Sequence, residues 1–376
     1  MTDPADGVAE LRGATARTVR RTLDDGTPLS GTTGFAGRLD DALVRDVLGR
    51  QPLFVEADTD SPVADGNWSF GRDALTDPER VPAGHRRSAD GTERVWSLPS
   101  PDPVTDRETA VDAVRRAVRA SIDRLPTEGL AVAFSGGVDS AVIAALTDAP
   151  LYVTGFPESH DVEAARSAAA ALDRELEIVE VDHDDIVDAI PRIASATGRR
   201  NAMDVAIAIP LLLTAERAAA DGYDALAVGQ GADELFGGYA KVAKAPSDPR
   251  VEADTVRGAR RETLTGLPEQ LERDVLTIRS AGVEPVAPYL HDDVVAAALQ
   301  LPGDALVTED GQRKWALRNA ASEWLPTDVV ERDKKAMQYG SLVSRELDRL
   351  ARQAGFKRRM DDHVGQYVDS LCETGE

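Results

Sequence analysis

Between Gly129 and Ser140 the chain reads GLAVAFSGGVDS, and no other stretch restricts the fold as strongly. Leu130-Ala131-Val132-Ala133-Phe134 is long enough for a buried parallel strand and too short for a helix of its own. Ser135-Gly136-Gly137-Val138-Asp139-Ser140 follows, and then the helix-forming run Ala141 to Leu146. A strand, a glycine turn and a helix start make an anion site. The glycines permit a sharp turn, and the N–H groups of the first helical turn point at whatever sits there. Ser135 and Ser140 add hydroxyls, and Asp139 supplies a carboxylate for a divalent cation that neutralises phosphate. No lysine follows the glycines, which excludes the Walker loop, and no third glycine completes a dinucleotide fingerprint.

The alternation continues beyond this turn. Leu151–Phe156, Glu177–Val181 and Ala225–Val228 read as strands, with helices over 161–172, 185–197 and 202–220 between them. A helix is also expected from Asp106, with Val111, Val114, Val118 and Ile122 at helical spacing. A parallel sheet binds ligands outside the carboxyl ends of its strands. SGGVDS, Thr154-Gly155-Phe156-Pro157 and Gly229-Gln230-Gly231-Ala232-Asp233-Glu234-Leu235-Phe236-Gly237-Gly238-Tyr239 are therefore expected at one edge. Everything after Arg250 lacks strand alternation and reads as helical. Before the proline-rich stretch Pro99–Pro103, short β-like pieces are expected, preceded by a charged segment over 1–28 with little structural signal. The expected boundaries are a small β-rich domain over 1–103 and an α/β domain over 104–376 that ends in helices.

Acidic residues outnumber basic ones 66 to 43, for a net charge of −23 at pH 7. Only six residues are lysine, at 241, 244, 314, 334, 335 and 357. That composition is similar to cytosolic proteins of extreme halophiles, and it argues against a nucleic-acid partner, which calls for a basic stripe. The single cysteine, Cys372, rules out a disulfide framework or a cysteine-rich metal site. No apolar run reaches 18 residues and no signal peptide is evident, so a cytoplasmic protein without a membrane segment is expected.

SGGVDS resembles the pyrophosphate loop (PP-loop) of the ATP pyrophosphatases. Together with GADELFGGY at 231–239, the order Gly282-Val283-Glu284 … Pro288-Tyr289-Leu290, the Lys314 … Leu317-Arg318 run and Leu325-Pro326 … Arg332-Asp333-Lys334 … Gly340, it makes residues 106–345 resemble the synthetase domain of the asparagine synthetase family. The resemblance implies an α/β PP-loop fold of the adenine-nucleotide α-hydrolase type. It also implies attack of a carboxylate, aspartate by default, on the α-phosphate of ATP, followed by transfer of the acyl group to ammonia or another amine. Residue by residue, it places ATP and its pyrophosphate on Ser135, Gly136, Gly137, Asp139, Ser140, Val153, Gly155, Gly229 and Asp233. Mg²⁺ falls to Asp139 and Asp233, and an intermediate-stabilising ammonium to Lys334.

Three departures qualify it. Residue 2 is Thr2, where glutamine-hydrolysing members carry a catalytic cysteine, so residues 1–103 are expected to be a truncated, Ntn-type glutaminase-like region without that activity. Ammonia then comes either from solution or from a separate glutaminase partner. Gln230 stands where asparagine-making members carry an acidic residue, and an amide is no general base near neutral pH. The arginine and aspartate of the family's Glu-x-Arg-x-Pro-Phe-Leu-Asp are replaced by Val286 and His291. Glu284 is then either structural or an acid–base partner, and His291 is expected to be a satisfied or surface histidine. A homodimer, an adenylating ligase for another acid, amine or nucleoside, and a silent ATP-binding subunit remain open.

Overall fold

The computed structural model describes residues 9–332 and 342–373. Strand β1 (Ala9–Arg12) is followed by helix α1 (Ala16–Asp25), which Thr15 caps through Thr18 N–H and Gly26 ends at φ 65°. Seven further short strands come next: β2 (Ala36–Leu39), β3 (Ala42–Arg45), β4 (Phe54–Glu56), β5 (Trp68–Ser69), β6 (Pro78–Arg80), β7 (His85–Ser88) and β8 (Gly91–Arg94). They form two antiparallel sheets, ordered β1-β2-β3-β7-β8 and β5-β4-β6. The expectation of a β-rich amino-terminal region is met. Residues 9–28 carry more structure than their charges suggested, because one strand and one capped helix use the small and charged residues there.

Helix α2 (Arg107–Ile122) starts where expected, with the Asp106 carboxylate accepting Thr109 N–H at 2.9 Å. It buries Val111, Val114, Val118 and Ile122. The parallel unit then opens: β9 (Leu130–Ala133), α3 (Val138–Leu146), β10 (Leu151–Gly155), α4 (His160–Ala171), β11 (Leu176–Glu180), α5 (His183–Thr197), α6 (Ala202–Ala220) and β12 (Ala225–Ala227). Helices α7 (Ala232–Phe236), α8 (Val256–Thr265) and α9 (Leu267–Ser280) follow, then strand β13 (Glu284–Val286). Helices α10 (Asp292–Leu299), α11 (Trp315–Ala321), α12 (Val343–Gln353) and α13 (His363–Glu373) complete the elements used below.

β13 corrects the expectation that everything past Arg250 is helical. It joins the parallel sheet through Glu284 opposite Ala225, Pro285 opposite Leu226 and Val286 opposite Ala227. Three residues show no alternation, and a central proline reads as a strand breaker. Proline is tolerated here because β13 is the edge of the sheet.

The chain divides into two compact units. One comprises Met1–Asp123, Gln230–Glu272 and Ala287–Ala320; the other comprises Arg124–Gly229, Arg273–Val286 and Ala321–Glu376. This division crosses the 103/104 boundary expected from the sequence. The reason lies in α8, whose arginines staple the proline-rich stretch. Arg261 donates to Leu98 O at 2.7 Å and Pro99 O at 2.9 Å, and Arg257 donates to Pro101 O at 2.7 Å. Val104 N–H continues the attachment to Gln300 O at 2.9 Å. Stiffness was readable in the prolines; the arginines that hold them are more than 150 residues away in the chain.

The second unit carries the five-stranded parallel sheet in the order β11-β10-β9-β12-β13. From β9 the chain runs outward to β10 and β11, then returns to the other side of β9 for β12. The order therefore reverses between β9 and β12, the place where open α/β sheets form a crevice at their carboxyl ends. Helices α5, α6, α12 and α13 close a separate apolar core around Ile186, Ile190, Ile193, Ile209, Leu212 and Leu347. Among the described residues, no helix is long and apolar enough to cross a membrane.

Candidate active site

The SGGVDS turn leaves β9 at its carboxyl end. Gly136 has φ +71°, and a Cβ there would come within 2.5 Å of Ala164 O and 2.6 Å of Ala164 C in α4. Both the left-handed backbone and the close approach of α4 demand glycine. Gly137 occupies the N-cap of α3 and brings no side chain to the first-turn amides, the groups that a helix start offers to an anion. Ser140 closes the turn: its Oγ accepts Ser135 N–H at 3.2 Å and donates to Gly137 O at 3.3 Å, with Ser135 Oγ also at 3.3 Å. Asp139 lies in the first turn of α3, 6% exposed. Gly229 completes this cluster, because a Cβ there would stand 3.1 Å from Asp139 Cβ.

Two expected nucleotide residues are explained differently by their surroundings. Val153 is buried in the middle of β10. A Cβ at Gly155 would come 2.8 Å from Ser159 Oγ and 3.2 Å from Val162 Cγ2. Gly155 thus makes room for the serine that caps α4.

In the sequence Arg332 stands out only as part of the Arg332-Asp333-Lys334 motif, with no role of its own. Its guanidinium donates to Ala164 O at 2.7 Å and to Ser167 Oγ at 2.9 Å. The same Ala164 carbonyl faces Gly136, so Arg332 grips α4 directly behind the turn. Lys334, two residues on, lies outside the described residues.

The chain passes from the second unit to the first at the Gly229–Gln230 bond. Gln230 is half-buried and precedes Gly231, which caps α7 at φ +89°. Asp233 Oδ1 is held by Lys314 Nζ at 2.6 Å. A side chain at Gly238 would overlap both Asp233 Oδ1 and Lys314 Cε, so the glycine permits that pair. Lys314 adopts φ +57°, a left-handed conformation that costs a non-glycine residue about 1–2 kcal/mol. It is one of only six lysines in the chain. Beside it Glu234 is 5% exposed, and burial, with the Asp233 charge adding to it, pushes its carboxyl up to about 7. Tyr239 OH opposes that shift by donating to Glu234 Oε1.

Among the described residues, no group of three or more histidine, cysteine or acidic side chains forms a metal cage. Mg²⁺ does not require one, since it keeps waters and takes one or two carboxylates plus substrate phosphates. The buried Asp139 carboxylate at a helix start fits that role. Asp233, already paired with the Lys314 ammonium, would take a cation only in competition with that pair.

Glu284 lies apart from the SGGVDS turn along the sheet. It opens β13, in register with Ala225 and, through Ala225, with Leu130 at the start of β9. It therefore sits at the amino end of the sheet, about 15 Å of strand away from the SGGVDS turn. Its side chain is 54% exposed and paired to Arg279 at 2.5 Å. His291 is a satisfied histidine: it caps α10, accepting Asp293 N–H on Nδ1 at 3.2 Å.

The fold and the turn define a PP-loop-like α/β protein, and comparison narrows the class. The asparagine synthase family model matches residues 107–276 and 247–370, and the chain belongs to that family. It is 27% identical over 301 residues to a Methanocaldococcus jannaschii protein bearing the name of a glutamine-hydrolysing asparagine synthetase, covering 70% of this chain and 55% of that one. The nodule asparagine synthetase of Pisum sativum is 26% identical over 335 residues, covering 79% and 55%. Asparagine synthetase B of Escherichia coli is 24% identical over 259 residues, covering 64% and 46%. The chain thus spans about half the length of the curated relatives it matches. Among solved structures, an NH₃-dependent NAD synthetase from Campylobacter jejuni aligns at 13% identity with a TM-score of 0.30, covering 72% of this chain and 95% of that one.

Proposed function

We propose that this chain is an AMP-forming carbon–nitrogen ligase that joins a small carboxylic acid to ammonia, with aspartate as the default acid. The observation that carries the reading is the SGGVDS turn, with left-handed Gly136 pressed on α4, buried Asp139 and an uncapped α3 start at the sheet's switch point. In the first step a carboxylate oxygen attacks the α-phosphorus of ATP, the bond to the β-phosphate oxygen breaks, and pyrophosphate leaves. In the second, the ammonia nitrogen attacks the acyl carbon, AMP leaves with the carboxyl oxygen, and one proton is lost.

The α3 amides and the Ser135 hydroxyl would hold the departing pyrophosphate. Positive dipoles fixed before the reaction lower the barrier because they need no reorganisation as charge develops. Mg²⁺ would supply charge neutralisation on the phosphates; Asp139 and Asp233 are each proposed as its carboxylates. Lys334 is proposed, on the family resemblance, to oppose charge on the α-phosphate. Gln230 is proposed to border the acceptor as a neutral hydrogen-bonding group, so the proton of ammonia must leave by another base. That amide, with Val286 and His291 in place of arginine and aspartate, favours a related ligase for another acid or amine as the second reading. The reading includes no glutaminase activity in this chain, ammonia from solution or a partner, and a cytoplasmic setting.

The test measures pyrophosphate and AMP release from ATP and Mg²⁺ in molar KCl, with aspartate and other acids screened against ammonium. Turnover that requires one acid and ammonium, is lost in Asp139→Asn and survives in Glu284→Gln, is the expected result. Turnover lost in Glu284→Gln would return that residue to the chemistry. No release with any acid, despite ATP binding, would replace the ligase with a silent nucleotide-binding subunit.

A further inference from the structure

Arg50 is 3% exposed and lies in the amino-terminal β-rich region, far in sequence from every residue assigned above. Its Nε donates to Asp46 Oδ1 at 2.8 Å; its Nη1 donates to Asp292 Oδ1 and to Leu290 O, both at 2.7 Å. Gly34, at φ +100°, has no side chain because one would overlap Arg50. The carboxylates are fully engaged in turn. Asp46 accepts Leu48 and Arg50 N–H at 3.0 Å each, and Asp292 Oδ2 accepts Ser30 and Thr32 N–H at 2.9 Å each. Burial opposes the guanidinium charge, but the two carboxylates outweigh it and hold Arg50 more firmly protonated than usual.

The backbone this network fixes carries two packing side chains. Leu290 fills the space directly over Gly231, where any side chain would overlap its Cδ2. Tyr289, fully buried, meets the Phe236 ring edge-on at 6.3 Å between centroids. Gly231 and Phe236 are the cap and the last residue of α7, the turn that carries Asp233 and Glu234. All these residues belong to one compact unit.

We infer that Arg50 is a positioning residue for the Gln230–Asp233 turn, acting through Leu290 and Tyr289. The amino-terminal region then serves as a prop for the synthetase turn, whatever else it once did or does. The functional half of this statement rests on the ATP-dependent reading above. Lysine cannot replace arginine here, since one ammonium cannot span two carboxylates and a carbonyl in the geometry of a guanidinium fork.

Hydrogen exchange in the full chain tests this without relying on activity, alongside calorimetric binding of ATP with Mg²⁺. Arg50→Lys is expected to speed exchange across 229–240 about tenfold, the size of coupling common within one network. Exchange across 130–146 and 183–220 stays at the wild-type rate, and ATP binding weakens. Asp292→Asn, which keeps the side chain's shape, shows the same pattern more mildly and decides the matter if Arg50→Lys unfolds. Arg20→Ala, which breaks an exposed pair with Asp40 in the same region, leaves both readouts unchanged. Unchanged exchange over 229–240 in both network variants would overturn the inference. A wild-type chain that binds no ATP would sink the ligase reading and leave the exchange result standing.

Discussion

Gly136 shows how much a single residue can decide. Its φ of +71° disfavours any side chain, and a Cβ there would meet the Ala164 carbonyl oxygen at 2.5 Å, which leaves no space for one. Alanine must therefore push α4 away or rebuild the turn, displacing the α3 amides. A shift of about 1 Å in groups that hold a reacting phosphate costs on the order of a hundredfold in rate. Gly136→Ala is expected to lose at least that much pyrophosphate release while keeping its circular dichroism spectrum. Wild-type turnover in a folded Gly136→Ala chain would mean that phosphate does not sit on this turn. Gly155 is a different case: the resemblance places ATP on it, while the side chain it lacks would stand 2.8 Å from Ser159 Oγ. Glycine announces a close approach; it does not say what approaches.

At the scale of elements, legibility followed how local the signal was. α2, α5 and α6 were readable because cap and periodicity lie within one stretch: Asp106 before Val111, the Asp182–Asp185 capping box, and Asn201 before an apolar run. β13 was not, since a three-residue edge strand with Pro285 gains its identity only from β12. Glu284 was left open between a structural and an acid–base role for the same reason, because a motif position cannot reveal which end of a sheet it occupies. The contact between α12 and α13 was equally invisible. Asp348 on α12 binds Arg358 Nη2 at 2.6 Å, Arg352 Nε at 3.1 Å and His363 Nε2 at the start of α13 at 2.9 Å. The Arg358 hydrogen bond, aided by His363 and Arg352 against the opposing effect of burial, holds its carboxyl well below the usual carboxylate range. A lowered folded-state pKa stabilises above the unfolded value of about 4, and that contribution fades as pH falls toward the folded value. Asp348→Asn should therefore lower Tm at pH 7 by about 2–4 °C, equivalent to roughly 1 kcal/mol for a solvent-screened pair. The gap should be constant above pH 5 and narrow below pH 4. A gap that widens toward acid would reverse the assignment.

For the whole molecule the governing quantity is charge. The net −23 leaves many carboxylates without a cationic counterpart, so the folded chain repels itself over distances longer than an ion-pair contact. Salt separates these two contributions by range. At about 0.1 M the Debye length is near 10 Å and neighbouring carboxylates feel one another; at 1 M it is near 3 Å. Contact pairs such as Lys314–Asp233 at 2.6 Å and Arg50–Asp292 at 2.7 Å lie inside even the shorter length, and both are shielded from solvent on at least one side. Their loss in salt is small, while the long-range repulsion is almost extinguished. Tm is therefore expected to climb by several degrees between 0.1 M and 2 M KCl, and Arg50→Lys should remain destabilised at both ends of that series because its network is not screened. The measurement is a thermal melt of both proteins across the salt series. A Tm that falls with KCl would show that exposed ion pairs, not excess carboxylate charge, set the stability of this chain; a convergence of the two curves at high salt would show that bulk ions reach the Arg50 network.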